Sequence, residues 1–181
     1  MADVTGLSHF YATSLATRDL LRPEECRRFQ RPYDQRVLDA AASAQFNIMH
    51  VCGAGAHFGE FADYPVAAFS WALAPGNPSL AEGHRRTGRA VMGGIPAKPE
   101  IGSMTPVEIG ARVSAATADT EGRWLLLAPD CSITPDTPDV LLHAARQARD
   151  CISQRRLIWR ARRSIAPAED ICPFADTLTA A

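Results

Sequence analysis

Three residues set the chemical question in this chain: His50 and Cys52, within the stretch FNIMHVCG (46–53), and Cys131, far downstream in APDCSITPD. Side chains alternate across a strand, so His50 and Cys52 point the same way if the stretch is extended. One imidazole and two thiolates are the donors zinc prefers. Three protein ligands with an open fourth position are the catalytic rather than the structural pattern. A thiol entering that position would lose its proton and become a nucleophile at neutral pH. The plainer reading stands beside this one. Buried cysteines pack as small hydrophobes, and a core histidine is commonly satisfied by the backbone. The spacing of Cys131 from the H-x-C has no motif value. Its force is topological.

That topology comes from the elements around the three residues. FNIMHVC, VAAFSWA (66–72), RAVMGGI (89–95) and WLLLAP (124–129) are near-continuous apolar runs, which suits strands buried on both faces. VTGLSHFYA (4–12) is a further candidate strand. Helix starts lie between the strands. Asn77-Pro78-Ser79-Leu80 offers an Asn cap with proline at the first helical position. Thr105-Pro106-Val107-Glu108 adds a capping box, and Thr137-Pro138-Asp139-Val140 has the same form. Upstream, Pro23-Glu24-Glu25 opens a helical stretch that breaks near Pro32 and resumes from Asp34 to about Ala44. The alternation predicts a parallel α/β sheet with right-handed crossovers.

In such folds function gathers at the carboxyl ends of the strands. His50 and Cys52 end one strand and Cys131 follows another, so all three fall on the same rim. On a flat sheet Cys52 and Cys131, three strands apart, would stand about 14 Å from each other. A shared ion therefore requires a curled, barrel-like sheet.

Other residues are weaker candidates. His57, in the loop after the H-x-C strand, is a candidate catalytic acid or anion contact, against the plainer reading of a surface histidine. Tyr11, Thr13 and Ser14, at the end of the first candidate strand, are candidate substrate-binding residues. His9, His84 and His143 read as surface or boundary residues. Asp63 reads as a turn former, and Asp130 as either a turn residue or a neighbour of the metal ligands. MGGIPAK (92–98) has a glycine pair but no phosphate-loop pattern, and neither G-x-S-x-G nor H-E-x-x-H occurs.

Bulk properties narrow the class. The chain has 181 residues, 46% hydrophobic and 22% charged, with net charge −1. That is enough for a domain with a real core, and it gives no global field for nucleic acid or an anionic membrane. No apolar run reaches the roughly 18 to 20 residues that span a bilayer, and MADVTGLSHF lacks a signal-peptide pattern. The expected compartment is the cytoplasm. There the five widely spaced cysteines disfavour a disulfide framework. Residues 1–150 are expected to form the folded unit. Residues 151–181 are expected to form a basic, poorly ordered tail, with SQRRLIWRARRS (153–164) read alternatively as a basic extension of the last helix.

Five stretches together resemble the uroporphyrinogen decarboxylase superfamily: RPEECRRFQRPYDQRVLDAA, FNIMHVCG, ADYPVAAFSW, NPSLAEGHRRTGRAVMGGI and LLLAPDCSITPDTPDV. The resemblance runs from about residue 4 to about residue 148 and implies a partial TIM (β/α)₈ barrel, approximately strands 4 to 8.

The superfamily has two chemistries. The decarboxylases of porphyrin and haem biosynthesis use no metal, and their last strand ends in Gly-His-Gly where this chain has Pro129-Asp130-Cys131. The other branch comprises zinc methyltransferases that move a methyl group between a corrinoid (cobalamin) protein and a thiol such as coenzyme M. Their ligands are an H-x-C on the fifth strand and a cysteine after the eighth, which His50, Cys52 and Cys131 match. The resemblance thus implies zinc, a corrinoid on a partner protein and a small thiol substrate. Porphyrinogen decarboxylation is the alternative. A partial barrel exposes sheet edges, so a homo-oligomer, a complementary half-barrel chain or an inactive remnant are further expectations, with neither nucleic acid nor membrane as partner.

Overall fold

The structure, a computed structural model, describes residues 8–162. Its centre is a five-stranded parallel sheet in the order β1-β2-β3-β4-β5. The strands are β1 (Ser8–Thr13), β2 (Phe46–Val51), β3 (Ala68–Trp71), β4 (Ala90–Ile95) and β5 (Leu125–Pro129). Each apolar run of the sequence supplies one strand, including the first candidate. With helices α1 (Pro23–Glu25), α2 (Arg31–Ala40), α3 (Leu80–Thr87), α4 (Pro106–Asp119) and α5 (Asp139–Arg162) flanking the sheet, the architecture is a partial barrel.

The register decides which side chains share a face. Ala12 lies opposite His50, His50 opposite Ser70, and Ser70 opposite Met92. This row crosses four strands on one face. Tyr11, Thr13, Met49, Val51, Phe69 and Trp71 alternate onto the other face.

The chain divides into two compact units, and the division falls within β4 and β5. In the first (residues up to Gly93, with Trp124–Leu126), the second face of β2 and β3 packs on a buried aromatic cluster. Phe58 meets Trp71 edge-on at 4.8 Å, and Phe61 meets Tyr64 at 5.4 Å. Asp34 of α2 is buried and accepts hydrogen bonds from Tyr11 Oη (2.5 Å), Tyr64 Oη (2.9 Å) and Gln30 Nε2 (3.1 Å). Those donors satisfy a charge that would otherwise be costly to bury.

The helical stretch that opens at Pro23 does not break at Pro32. A π-helical turn (Cys26–Gln30) joins α1 to α2, with the Arg31 amide bonded to the Cys26 carbonyl. A proline inside a regular α-helix clashes with the carbonyl four residues before it, and the wider turn avoids that contact.

A second expectation also shifts. The cap of α3 is Ser79, whose hydroxyl accepts from the Glu82 amide, and not Asn77. Asn77 instead ties loops together. It donates to the carbonyls of Gly53 (2.9 Å) and Ala72 (2.8 Å) and accepts from the Ala56 amide (2.7 Å).

The second unit (Gly94–Arg123, and residues from Leu127 onward) holds α4 and α5. The capping box at Thr105 and Glu108 forms as the sequence predicts. Ile95, Ile101, Ile109 and Val113 pack against Leu141, Ala144, Ala145 and Ala148. The small α5 residues let the helices approach closely. α5 continues to Arg162, so the expected boundary at residue 150 falls inside a helix. As far as Arg162 the arginine-rich span extends that helix, and the remainder of the expected tail lies outside the described residues.

Candidate metal site

β2 carries His50 to the carboxyl end of the sheet, and the strand ladder continues one residue further, with the Cys52 amide donating to the Thr13 carbonyl at 2.8 Å. Gly53 then turns the chain at φ 92°, a left-handed conformation that favours glycine, and a Cβ there would meet Thr17 Cγ2 at 2.8 Å. Two positions of H-x-C spacing therefore end in a turn of fixed shape. On β5, the Asp130 amide donates to the Ile95 carbonyl at 2.8 Å, and Cys131 is the next residue.

Among the described residues, one nitrogen of His50 and the sulfurs of Cys52 and Cys131 all lie within 4.8 Å of one another. Three strand spacings on a flat sheet would be about 14 Å. The convergence required of a curled sheet is present.

The His50 ring is 5% exposed, and its two nitrogens differ. Nδ1 is 3.0 Å from Ser70 Oγ, the side chain opposite it in the register. Nε2 is buried and has no hydrogen-bond partner. A buried ring nitrogen without a hydrogen-bond partner, on a histidine that clusters with two cysteine sulfurs, fits a metal ligand. Burial also pushes the imidazole pKa below its usual value, which favours the neutral, ligating form. Phe10 stacks on the ring with centroids 5.7 Å apart and planes 24° from parallel.

The donor set fits zinc. A tetrahedral ion with bonds of about 2.0–2.3 Å sets its ligands roughly 3.3–3.8 Å apart. A cluster within 4.8 Å reaches that spacing by side-chain adjustment.

The remaining sequence candidates stand elsewhere. Tyr11 and Thr13 lie on the face of β1 opposite to that of His50, because Ala12 is the residue in register with His50. Tyr11 Oη donates to Asp34, and Thr13 Oγ1 accepts from Gln30 Nε2 at 2.7 Å. Both fasten β1 to the helical layer. Ser14 is exposed.

His57 donates from Nε2 to the Leu21 carbonyl at 2.6 Å, and its amide donates to the Ala16 carbonyl at 2.9 Å. It ties two loops together and is not one of the three clustered ligands. Asp63 holds Arg31 through two bonds of 2.9 and 2.5 Å. His84 stacks on Trp124 at 5.4 Å. Ser70 and Phe10 are the two residues around His50 that the sequence reading passed over. The available signal was the single polar side chain in the apolar run AAFSWA.

The fold is shared with a methyltransferase from Methanosarcina mazei. The TM-score is 0.69 and the identity 24%, over 82% of this chain and 43% of that one. This chain thus spans less than half the length of that protein. No protein-family model matches the chain, and no curated protein matches it.

Proposed function

We propose that this chain carries the zinc site of a methyltransferase that passes a methyl group between a corrinoid and a small thiol. The single observation that carries the reading is the convergence of one imidazole nitrogen and two cysteine sulfurs within 4.8 Å. His50, Cys52 and Cys131 would hold the ion and leave a fourth position for the thiol. When bound there, zinc would lower the thiol pKa and orient its sulfur.

The protein residues prepare that position in separable ways. Burial keeps the His50 ring neutral, so its lone pair is available near neutral pH. Ser70 occupies Nδ1, which leaves Nε2 as the nitrogen that faces a ligand. Phe10 covers one face of the ring and limits water access to it. Gly53 and Asn77 fix the turn directly after Cys52.

The fold shared with a methyltransferase supports the reaction class, and the donor set supports a thiol as substrate. Decarboxylation of the metal-free kind would leave the two sulfurs and the buried nitrogen without a task. Because the chain spans 43% of its structural neighbour, the methyl transfer is proposed for the completed barrel and a corrinoid-carrying partner.

The test is zinc analysis of the purified chain and of the His50→Ala and Cys131→Ser variants. One zinc per chain is expected, with loss in both variants. No zinc in the parent chain, or undiminished zinc in both variants, would overturn the reading.

A further inference from the structure

We propose that Ser70 is a positioning residue for the metal site, acting through His50 by accepting a hydrogen bond from Nδ1–H and so leaving the Nε2 lone pair free to face the ion. The inference rests on the zinc reading above and adds a residue to it.

The geometry is local and complete. Ser70 and His50 are register partners on adjacent strands, β3 and β2. Directly opposed side chains of paired strands lie about 4.5–5.5 Å apart at Cβ, so a short hydroxyl meets the near nitrogen of an imidazole. Here the separation is 3.0 Å, with Ser70 1% and His50 5% exposed. Water cannot readily replace the hydroxyl.

A neutral imidazole carries one proton. If Ser70 donated to Nδ1, that proton would sit on Nε2, pointing at the sulfurs and blocking coordination. If Ser70 accepts from Nδ1–H, the Nε2 lone pair is exposed instead. The metal-competent tautomer is therefore the one in which the serine oxygen is an acceptor. Ser70 is the partner at Nδ1, and Nε2 has no hydrogen-bond partner among the described residues. Ser70→Ala would leave a buried Nδ1–H unpaired in the zinc-bound state.

The test compares the full-length chain with Ser70→Ala and Ser70→Thr, using zinc itself as the probe in competition with a chromophoric chelator. Loss of a group that orients a metal-bound histidine typically lowers metal affinity about 10–100-fold. That loss is expected for Ser70→Ala, with recovery in Ser70→Thr, which keeps the hydroxyl.

A merely structural role is separated by a spectroscopic reading on the zinc-loaded parent chain, which needs no variant to fold. Proton–nitrogen correlation of the His50 ring should show a slowly exchanging Nδ1–H, with Nε2 bearing no proton. In Ser70→Ala that Nδ1 proton should exchange rapidly. Equal zinc affinity in the parent chain and Ser70→Ala, or a proton on Nε2 in the zinc-loaded parent chain, would overturn the proposal. The first outcome leaves the zinc reading standing, whereas a parent chain that takes up no zinc fails the earlier reading instead.

Discussion

Phe10 lies flat against His50, the ring centroids 5.7 Å apart and the planes 24° from parallel, although Phe10 is itself 55% exposed. The two side chains share one face of the sheet, because Phe10 stands two residues before Ala12, the register partner of His50. An aromatic ring left half in solvent contributes little through its own burial. Its consequence is the shielding of the imidazole. In Phe10→Ala, His50 should become reactive toward diethyl pyrocarbonate, with exposed His143 as the internal reference. Peptide mass analysis reads both sites. The lost ring pair should also lower stability by about 0.5–1.5 kcal/mol. Protection of His50 equal to that in the parent chain would show that Phe10 is not its cover.

Gly83 in α3 is required by Trp71 rather than by its own backbone. A Cβ at Gly83 would run into Trp71 Cη2 and lie 2.6 Å from Cζ2. Trp71 cannot swing aside cheaply. It is fully buried, meets Phe58 edge-on, and donates from Nε1 to the Pro78 carbonyl at 2.9 Å. Gly83→Ala should therefore destabilise the chain by about 1–3 kcal/mol, although alanine is the better helix former. Urea unfolding of Gly83→Ala, Trp71→Phe and the double variant provides the check. The smaller ring should relieve the overlap, so the double variant should lose less than the two single losses added together. Strict additivity would refute the packing account.

These relationships mark where the sequence was legible. Four strands announce themselves as near-continuous apolar runs, and the fifth, β1, was readable only as a further candidate in the mixed stretch VTGLSHFYA. The rim that collects His50, Cys52 and Cys131 followed from strand direction alone. The face on which Tyr11 and Thr13 lie was not readable, because a one-residue change of register exchanges the two faces of a strand. Only the pairing of Ala12 with His50 decides it. Ser70 was hidden for the same reason: its hydroxyl matters because it falls opposite His50, which is a fact of pairing and not of spacing. The cap of α3 failed on competition. Asn77 and Ser79 both suit a helix start, and the loops that Asn77 ties together claimed it. At Pro32 the expected break became a π turn, a rare local solution that single-residue rules do not propose.

Tyr11 is tied to the buried carboxylate of Asp34, and alkaline titration exposes that tie. Burial first, and then the hydrogen bond and charge of Asp34, push its phenol from 10.0 up to about 12. Tyr64, bonded to the same carboxylate, is raised as well, again by burial first and Asp34 next. The native state thus holds these protons more tightly than the unfolded chain does. Below pH 10.0 both states keep the Tyr11 proton, and its contribution is present in full. Between pH 10.0 and about 12 the unfolded chain releases the proton first, and stability falls as pH rises. Tyr11→Phe should remove its share of that slope and leave the share of Tyr64. It should also cost about 1–3 kcal/mol near neutral pH, because a buried carboxylate loses a donor. Urea midpoints measured in steps across pH 10.0 to about 12, for the parent chain and Tyr11→Phe, distinguish the cases. An unchanged slope in the variant would mean that the Tyr11 phenol is not coupled to folding through Asp34.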